Sequence, residues 1–295
     1  MEAPVSRGRP TRVADVVRLV RPLNVVMFFA GVALGGVLAA GSDAFSEGGR
    51  LALAMLSAAC IGAGANAIND VFDLAIDRVN RPDRPLPSGA VPVGTARAVW
   101  AVSSALGVGL GGGLSVAHLL IAAASVLLLY GYSARLKRTP LVGNLAVALV
   151  LGLALLYGGL AVATVGGGLL LGAGFAFGST LAREVAKDVE DAVGDATEGA
   201  RTLPLVAGPG AAVGVVVGAV AITVAGFPLA LPAGLGADFF ALGLPAAGLL
   251  LAAAWLLLGA SGETLERQAG RASVLLKVAM LAGILALAGA QVLGA

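Results

Sequence analysis

Apolar residues along this chain fall into runs of roughly 20, the length a helix needs to cross a bilayer core. The runs lie near 23–41, 51–69, 94–112, 116–134, 141–162, 165–183, 206–226, 238–259 and 273–293, separated by short polar segments. The pattern predicts an all-α polytopic membrane protein of about nine transmembrane helices bundled around a central cavity. Glycine and alanine are abundant within the runs. In lipid such residues let helix backbones approach closely and leave room for an interior chamber. No linker or low-complexity tail interrupts the pattern, so residues 1–295 read as one integral domain, with 1–20 as an N-terminal arm.

Composition removes the alternatives. The 295 residues are 58% hydrophobic and 12% charged, about half the charge density of a soluble domain. One cysteine, Cys60, excludes a disulfide scaffold and reads as mid-span packing. One histidine, His118, excludes multi-histidine metal sites; at the start of the fourth run, it reads as structural. The arginine-rich start and an apolar run ending at Ala39-Ala40-Gly41 could mimic a secretory signal. Removing that run would reverse the parity of the remaining map.

Charge matters here through its distribution. With nine spans, 18 of the 19 lysines and arginines fall on one side and Arg50 alone on the other. The positive-inside rule then places the N-terminus and the exits of the even-numbered helices in the cytoplasm and the C-terminus outside.

Two acidic stretches carry the candidate chemistry. Asn69-Asp70-Val71-Phe72-Asp73-Leu74-Ala75-Ile76-Asp77 closes the second span, and Lys187-Asp188-Val189-Glu190-Asp191-Ala192-Val193-Gly194-Asp195 follows the sixth. Three aspartates and a valine coincide when the two are overlaid. Each stretch is followed by Arg-x-Leu-Pro, at Arg84-Pro85-Leu86-Pro87 and Arg201-Thr202-Leu203-Pro204. This is the signature of an internal repeat, and its two copies, four spans apart, open on the same side.

At helical spacing, Asn66, Asn69, Asp73 and Asp77 share one face, and Glu184, Asp188, Asp191 and Asp195 another. Asp70 points away from the first stripe. Two carboxylates about 6 Å apart repel by roughly 3 kcal/mol at an effective dielectric of 20. Such stacks call for cations between them. Hard oxygen donors without paired histidine or cysteine indicate Mg²⁺, which shares its shell with substrate phosphates. Two such clusters facing one cavity could hold ions bridged by a diphosphate. Solvated surface acids would be the plainer account of a single cluster, but not of two copies with matching flanks.

Arg81, Arg84, Lys137, Arg138 and Arg201 lie near these stretches and could stabilise a departing diphosphate, with Lys137 and Arg84 preferred. The positive-inside bias by itself also explains basic loops. Tyr130, Tyr132 and Tyr157 could line the cavity, where an aromatic face stabilises a carbocation. Ordinary packing is the plainer account of any one of them.

The stretch from Asn69 to Asp77, with Asn80-Arg81-Pro82-x-Arg84-Pro85-Leu86-Pro87-Ser88-Gly89, resembles the first signature of the UbiA-type intramembrane prenyltransferases. Arg183-Glu184-x-x-Lys187-Asp188-x-Glu190-Asp191-x-x-Gly194-Asp195 resembles their second. Leu136-Lys137-Arg138-Thr139-Pro140-x-x-Gly143-Asn144 and Arg21-Pro22-Leu23-Asn24 match further segments. The likeness runs from about residue 18 to 210.

The resemblance implies Mg²⁺-assisted transfer of a polyprenyl group from its diphosphate to a lipid-soluble acceptor in the membrane, without nucleic acid. It implies that Asn69, Asp73, Asp77, Asp188, Asp191 and Asp195 hold the ions, with Asn66 assisting. Asp73, Asp77, Asp191 and Asp195 carry the catalytic load, while Arg84, Lys137, Arg201, Arg81 and Arg138 contact the diphosphate. The Arg183-Glu184-x-x-Lys187-Asp188-x-Glu190-Asp191 form is most similar to members that make archaeal-type ether lipids, which implies a geranylgeranyl donor and geranylgeranylglyceryl phosphate as acceptor. Aromatic acceptors (homogentisate, hydroxybenzoate, naphthoate) remain the alternative. An ion-coupled transporter should carry its carboxylates near the midplane on broken helices, not at helix ends among arginines. A CDP-alcohol phosphotransferase should have one cluster and fewer spans.

Overall fold

A backbone in lipid must satisfy its own N–H and C=O groups, which leaves a run of apolar residues little choice but a helix. In the computed structural model, which describes residues 11–46, 48–197, 199–233 and 236–293, each of the nine runs is helical. The helices are α1 (Val13–Val20), α2 (Pro22–Ala40), α3 (Gly48–Asn80), α4 (Val93–Gly112), α5 (Val116–Ala134), α6 (Val142–Val162), α7 (Gly167–Glu190), α8 (Ala192–Thr197), α9 (Leu203–Ala207), α10 (Pro209–Ala225), α11 (Ala237–Leu258) and α12 (Glu263–Leu293). There is no strand among the described residues. Eight of the long helices are long and apolar enough to cross a membrane. The ninth, α7, has the length, but its last third is polar from Arg183 onward. Residues 1–10 of the expected N-terminal arm, with Arg7 and Arg9, lie outside the described residues.

Helix ends differ from the apolar runs in a consistent way. Helix α3 continues eleven residues past its run, α7 seven past, and α12 begins ten before. Charged side chains end a hydropathy run, yet they do not end a helix, because the i→i−4 bonds are indifferent to them. This extension carries the whole first acidic stretch on one unbroken helix. The second stretch is divided: Asp191 caps α7 and Asp195 lies on α8, although Asp195 N–H still donates to the Asp191 carbonyl at 2.9 Å.

The chain forms two compact units. The first comprises residues 1–30 and 55–134, the second 31–54 and 135–295. In the first, α3 and α4 touch through small residues. A Cβ at Gly107 would stand 2.6 Å from Ile61 and 2.9 Å from the Ser57 carbonyl, so only glycine fits. Ser57 Oγ donates to the Gly107 carbonyl at 2.7 Å, satisfying a hydroxyl that lipid would leave bare. Leu19, Ala67, Leu86, Val91 and Ala96 form a buried cluster that folds the loop after α3 back onto α1 and α3. At the start of α5, His118 is buried and its ring Nδ1 shares a hydrogen bond with Ser115 Oγ at 2.8 Å, a structural role.

In the second unit α7 packs against α6, α10 and α12, and α11 pairs with α12. Its core includes Val185, Val216, Leu250, Leu257 and Leu276. Residues 31–40 of α2 meet α6 at two glycines: a Cβ at Gly35 would strike the Leu155 carbonyl, and one at Gly158 the Val32 carbonyl.

Candidate active site

In the first unit the acidic stretch is bound to both ends of the chain segment around it. Asn66 is buried; its amide donates to the Val20 carbonyl at 2.7 Å, and its carbonyl accepts from Asn24 at 3.3 Å. One turn on, Asn69 donates to Asp73 Oδ2 at 2.8 Å and accepts from Ser133 of α5 at 3.4 Å. Asp70, 1% exposed, is ion-paired with Arg21 and lies 3.7 Å from Arg84. Arg84 also donates to Asp77 Oδ2 at 2.6 Å. Arg21, Asp70, Arg84 and Asp77 therefore form one alternating chain of charge. The loop that delivers Arg84 is closed by Ser88 Oγ donating to the Arg84 carbonyl at 2.7 Å and by Gly89 at φ +75°. Arg81, at the α3 exit, is exposed.

Arg21 reaches Asp70 from a strained backbone. Among the described residues, the two non-glycine positions in the left-handed region are Arg21 (φ 52°) and Leu141 (φ 64°). Each precedes a helix start within a signature segment, Arg21 before Pro22 of α2 and Leu141 before Val142 of α6. Conformations of this kind cost about 1–3 kcal/mol and persist where surrounding contacts impose them. On α5, Tyr130 lies edge-on to Phe72 and against Trp100, with ring centroids 5.5 and 5.2 Å away.

In the second unit, the Lys137 turn and Asp188 of α7 each contact the start of α6. A Cβ at Gly143 would stand 2.7 Å from the Leu136 carbonyl and 3.0 Å from Lys137 Cα, so this glycine seats the Lys137 turn against the helix. The next residue, Asn144, is buried and donates its amide to Asp188 Oδ2 at 2.9 Å. Asp188 lies beyond the apolar run of α7. Burial raises its pKa to about 6; the Asn144 hydrogen bond lowers it, and the like charges of Asp195 and Glu184 raise it further. Glu184 pairs with Arg183, and Lys187 stands 3.6 Å from Asp191, both half exposed. Arg138 and Arg201 are exposed. Tyr157 is buried within α6, a packing position.

Thus the structure gathers Asn66, Asn69, Asp73 and Asp77 on one helix, and Asp188, Asp191 and Asp195 along α7 and α8. Arg21, Asn24 and Asn144 are contact-making residues that residue chemistry had not assigned to the site. Arg21, Asn24 and Asn144 stand inside the quoted signature segments, the one sign of them in the sequence.

Among the described residues no three histidine, cysteine or acidic side chains converge as a metal cage. Mg²⁺ does not require one, since it keeps several waters and takes one or two carboxylates plus phosphate oxygens. The donors fit that ion: they are all oxygens, and Asp73 and Asp188 each accept from an amide that orients the carboxylate without neutralising it.

The UbiA prenyltransferase family model matches residues 26–276. The chain belongs to this family. A digeranylgeranylglyceryl phosphate synthase of Methanopyrus kandleri is 40% identical over 273 residues, covering 91% of this chain and 96% of the relative. One of Thermococcus gammatolerans is 36% identical over 273 residues, covering 92% and 95%. A solved structure of a digeranylgeranylglyceryl phosphate synthase superposes with a TM-score of 0.84 at 28% identity, covering 95% of this chain and 98% of that one. A UbiA homolog from Archaeoglobus fulgidus, bound to GPP and Mg²⁺, superposes with a TM-score of 0.68 at 23% identity, covering 92% and 99%, and shares the fold. This UbiA protein is a multi-pass membrane prenyltransferase.

Proposed function

We propose that the protein transfers a geranylgeranyl group from its diphosphate to the free hydroxyl of geranylgeranylglyceryl phosphate, with Mg²⁺ as the assisting ion. The reading is carried by identity to synthases of that name over nine-tenths of the chain. Asn69, Asp73, Asp77, Asp188, Asp191 and Asp195 hold the metal, with Asn66 assisting. Bound Mg²⁺ supplies positive charge to the diphosphate oxygens.

The chain's own residues do the rest. Asn69 and Asn144 aim the Asp73 and Asp188 carboxylates. Lys137, Arg201, Arg81 and Arg138 offer cationic donors to the leaving group. Arg84, held by Asp77 and Asp70, exchanges a carboxylate for a diphosphate oxygen as the substrate binds. The apolar helices keep water from the allylic cation until the acceptor hydroxyl attacks, forming the ether bond and giving up its proton to the departed diphosphate. Both acidic stretches and the basic loops beside them face the cytoplasm.

Product mass decides the reading. Purified protein with geranylgeranyl diphosphate and Mg²⁺ should yield digeranylgeranylglyceryl phosphate from the lipid acceptor and nothing from homogentisate, hydroxybenzoate or naphthoate. A prenylated aromatic product in its place overturns it. Chelation should stop the reaction and added Mg²⁺ restore it. Asp73→Ala and Asp191→Ala should each abolish turnover while eluting as folded protein in detergent; near-wild-type rates in either would remove its assigned role.

A further inference from the structure

The second unit contains a cavity of about 300 Å³ with apolar walls, lined in part by Leu170, Gly174, Phe177, Leu181, Phe227 and Phe239. Four of these belong to α7 and are separated by three or four residues. The same progression leads from Leu181 to Glu184 and then to Asp188, so cavity and acidic stretch occupy one continuous face of one helix. At 1.5 Å per residue, Asp188 stands about 10 Å along the axis from Leu181, about 21 Å from Gly174 and about 27 Å from Leu170. An extended chain of four isoprene units, anchored by its diphosphate at the acidic end, reaches the level of Gly174. A chain of two units ends near Leu181.

We propose that this cavity receives the far isoprene units of the prenyl diphosphate donor, and that Gly174 is the residue that admits a C20 chain. The inference rests on the reading above, in which the diphosphate lies at the acidic end of α7. The glycine is open: a Cβ built at 174 meets nothing within 4 Å, whereas one at Gly178 strikes Thr223 and one at Gly283 strikes Phe175. A larger side chain at 174 therefore starts into open space at the cavity wall and narrows it, and leucine is the better helix former.

The test uses the full chain in detergent micelles with one acceptor and C10, C15 and C20 prenyl diphosphates. Gly174→Leu should lower kcat/KM for the C20 donor relative to the C10 donor by about tenfold or more, the scale on which apolar pockets discriminate chain length. Gly214→Leu, at an equally open glycine of α10 outside the cavity, should leave the ratio at the wild-type value. A second readout is independent of turnover. A geranylgeranyl diphosphate analogue with a photoactivatable group on its last isoprene unit should label the peptide spanning residues 170–181. An unchanged chain-length ratio in Gly174→Leu, a rise confined to the acceptor KM, or labelling elsewhere would overturn the proposal. Should the wild type make no ether lipid, the assigned acceptor fails, while the photolabel still decides what the cavity holds.

Discussion

Asp70 ties the first acidic stretch to the chain segments on either side of it through its ion pairs. Its carboxylate is buried and balanced chiefly by Arg21, with Arg84 3.7 Å away and held also by Asp77, so removing it leaves Arg21 without its partner. Breaking a buried pair from one side costs about 3–5 kcal/mol. Asp70→Ala should therefore lower the thermal midpoint in detergent, and Asp70→Asn, which retains a hydrogen-bond acceptor, should lower it less; equal midpoints for all three proteins would contradict this. Asn144 acts at the other stretch by orienting Asp188. Asn144→Ala should raise the Mg²⁺ concentration needed for half-maximal rate by about tenfold, with a smaller change in kcat at saturation, as expected for a group that orients a metal-binding carboxylate. A loss confined to kcat would show that Asn144 does not act through the ion. Neither role is legible from periodicity. Arg21 is 49 residues from Asp70 and Asn144 is 44 from Asp188 in sequence, distances across which spacing says nothing.

At the level of helices, what could be read and what could not divide along physical lines. Solvation by lipid constrains the centre of each span strongly, and each expected run is a helix. Helix ends are set by caps and tertiary contacts, which is why α3, α7 and α12 outrun their apolar segments. The break at Asp191, which assigns Asp195 to a separate short helix, has no signature in a pattern that treats the acids as one stripe. Contacts between helices were foreshadowed only in kind, by the plenty of small residues. The structure shows which of them bear the contact. Gly35 and Gly158 bring α2 and α6 together backbone to backbone, with no space for a methyl group. Gly35→Ala and Gly158→Ala should each destabilise by about 1–3 kcal/mol or more, as overpacking does, visible as a reduced folded yield after extraction. Gly210→Ala, where a Cβ meets nothing, is the matching control and should extract normally.

For the whole molecule, the testable quantity is sidedness. The positive-inside rule, applied to the lysines and arginines, predicts Ser88 and Ser261 on the cytoplasmic side and Ser46 and Ser115 on the other. In a Cys60→Ala background, single cysteines at Ser46 and Ser115 should react with an impermeant maleimide added outside intact cells. Those at Ser88 and Ser261 should react only after permeabilisation, and labelling of Ser88 from outside would invert the map. The left-handed backbone at Arg21 sets a limit on improving such a protein. Glycine adopts that geometry freely, so Arg21→Gly would relax the turn. The relief, about 1–3 kcal/mol, is smaller than the loss of about 3–5 kcal/mol when buried Asp70 is left without Arg21, so the exchange should lower the thermal midpoint. The awkward hinge is therefore kept in place by the anchor it delivers, and straightening it gains nothing unless Asp70 is given another cation first.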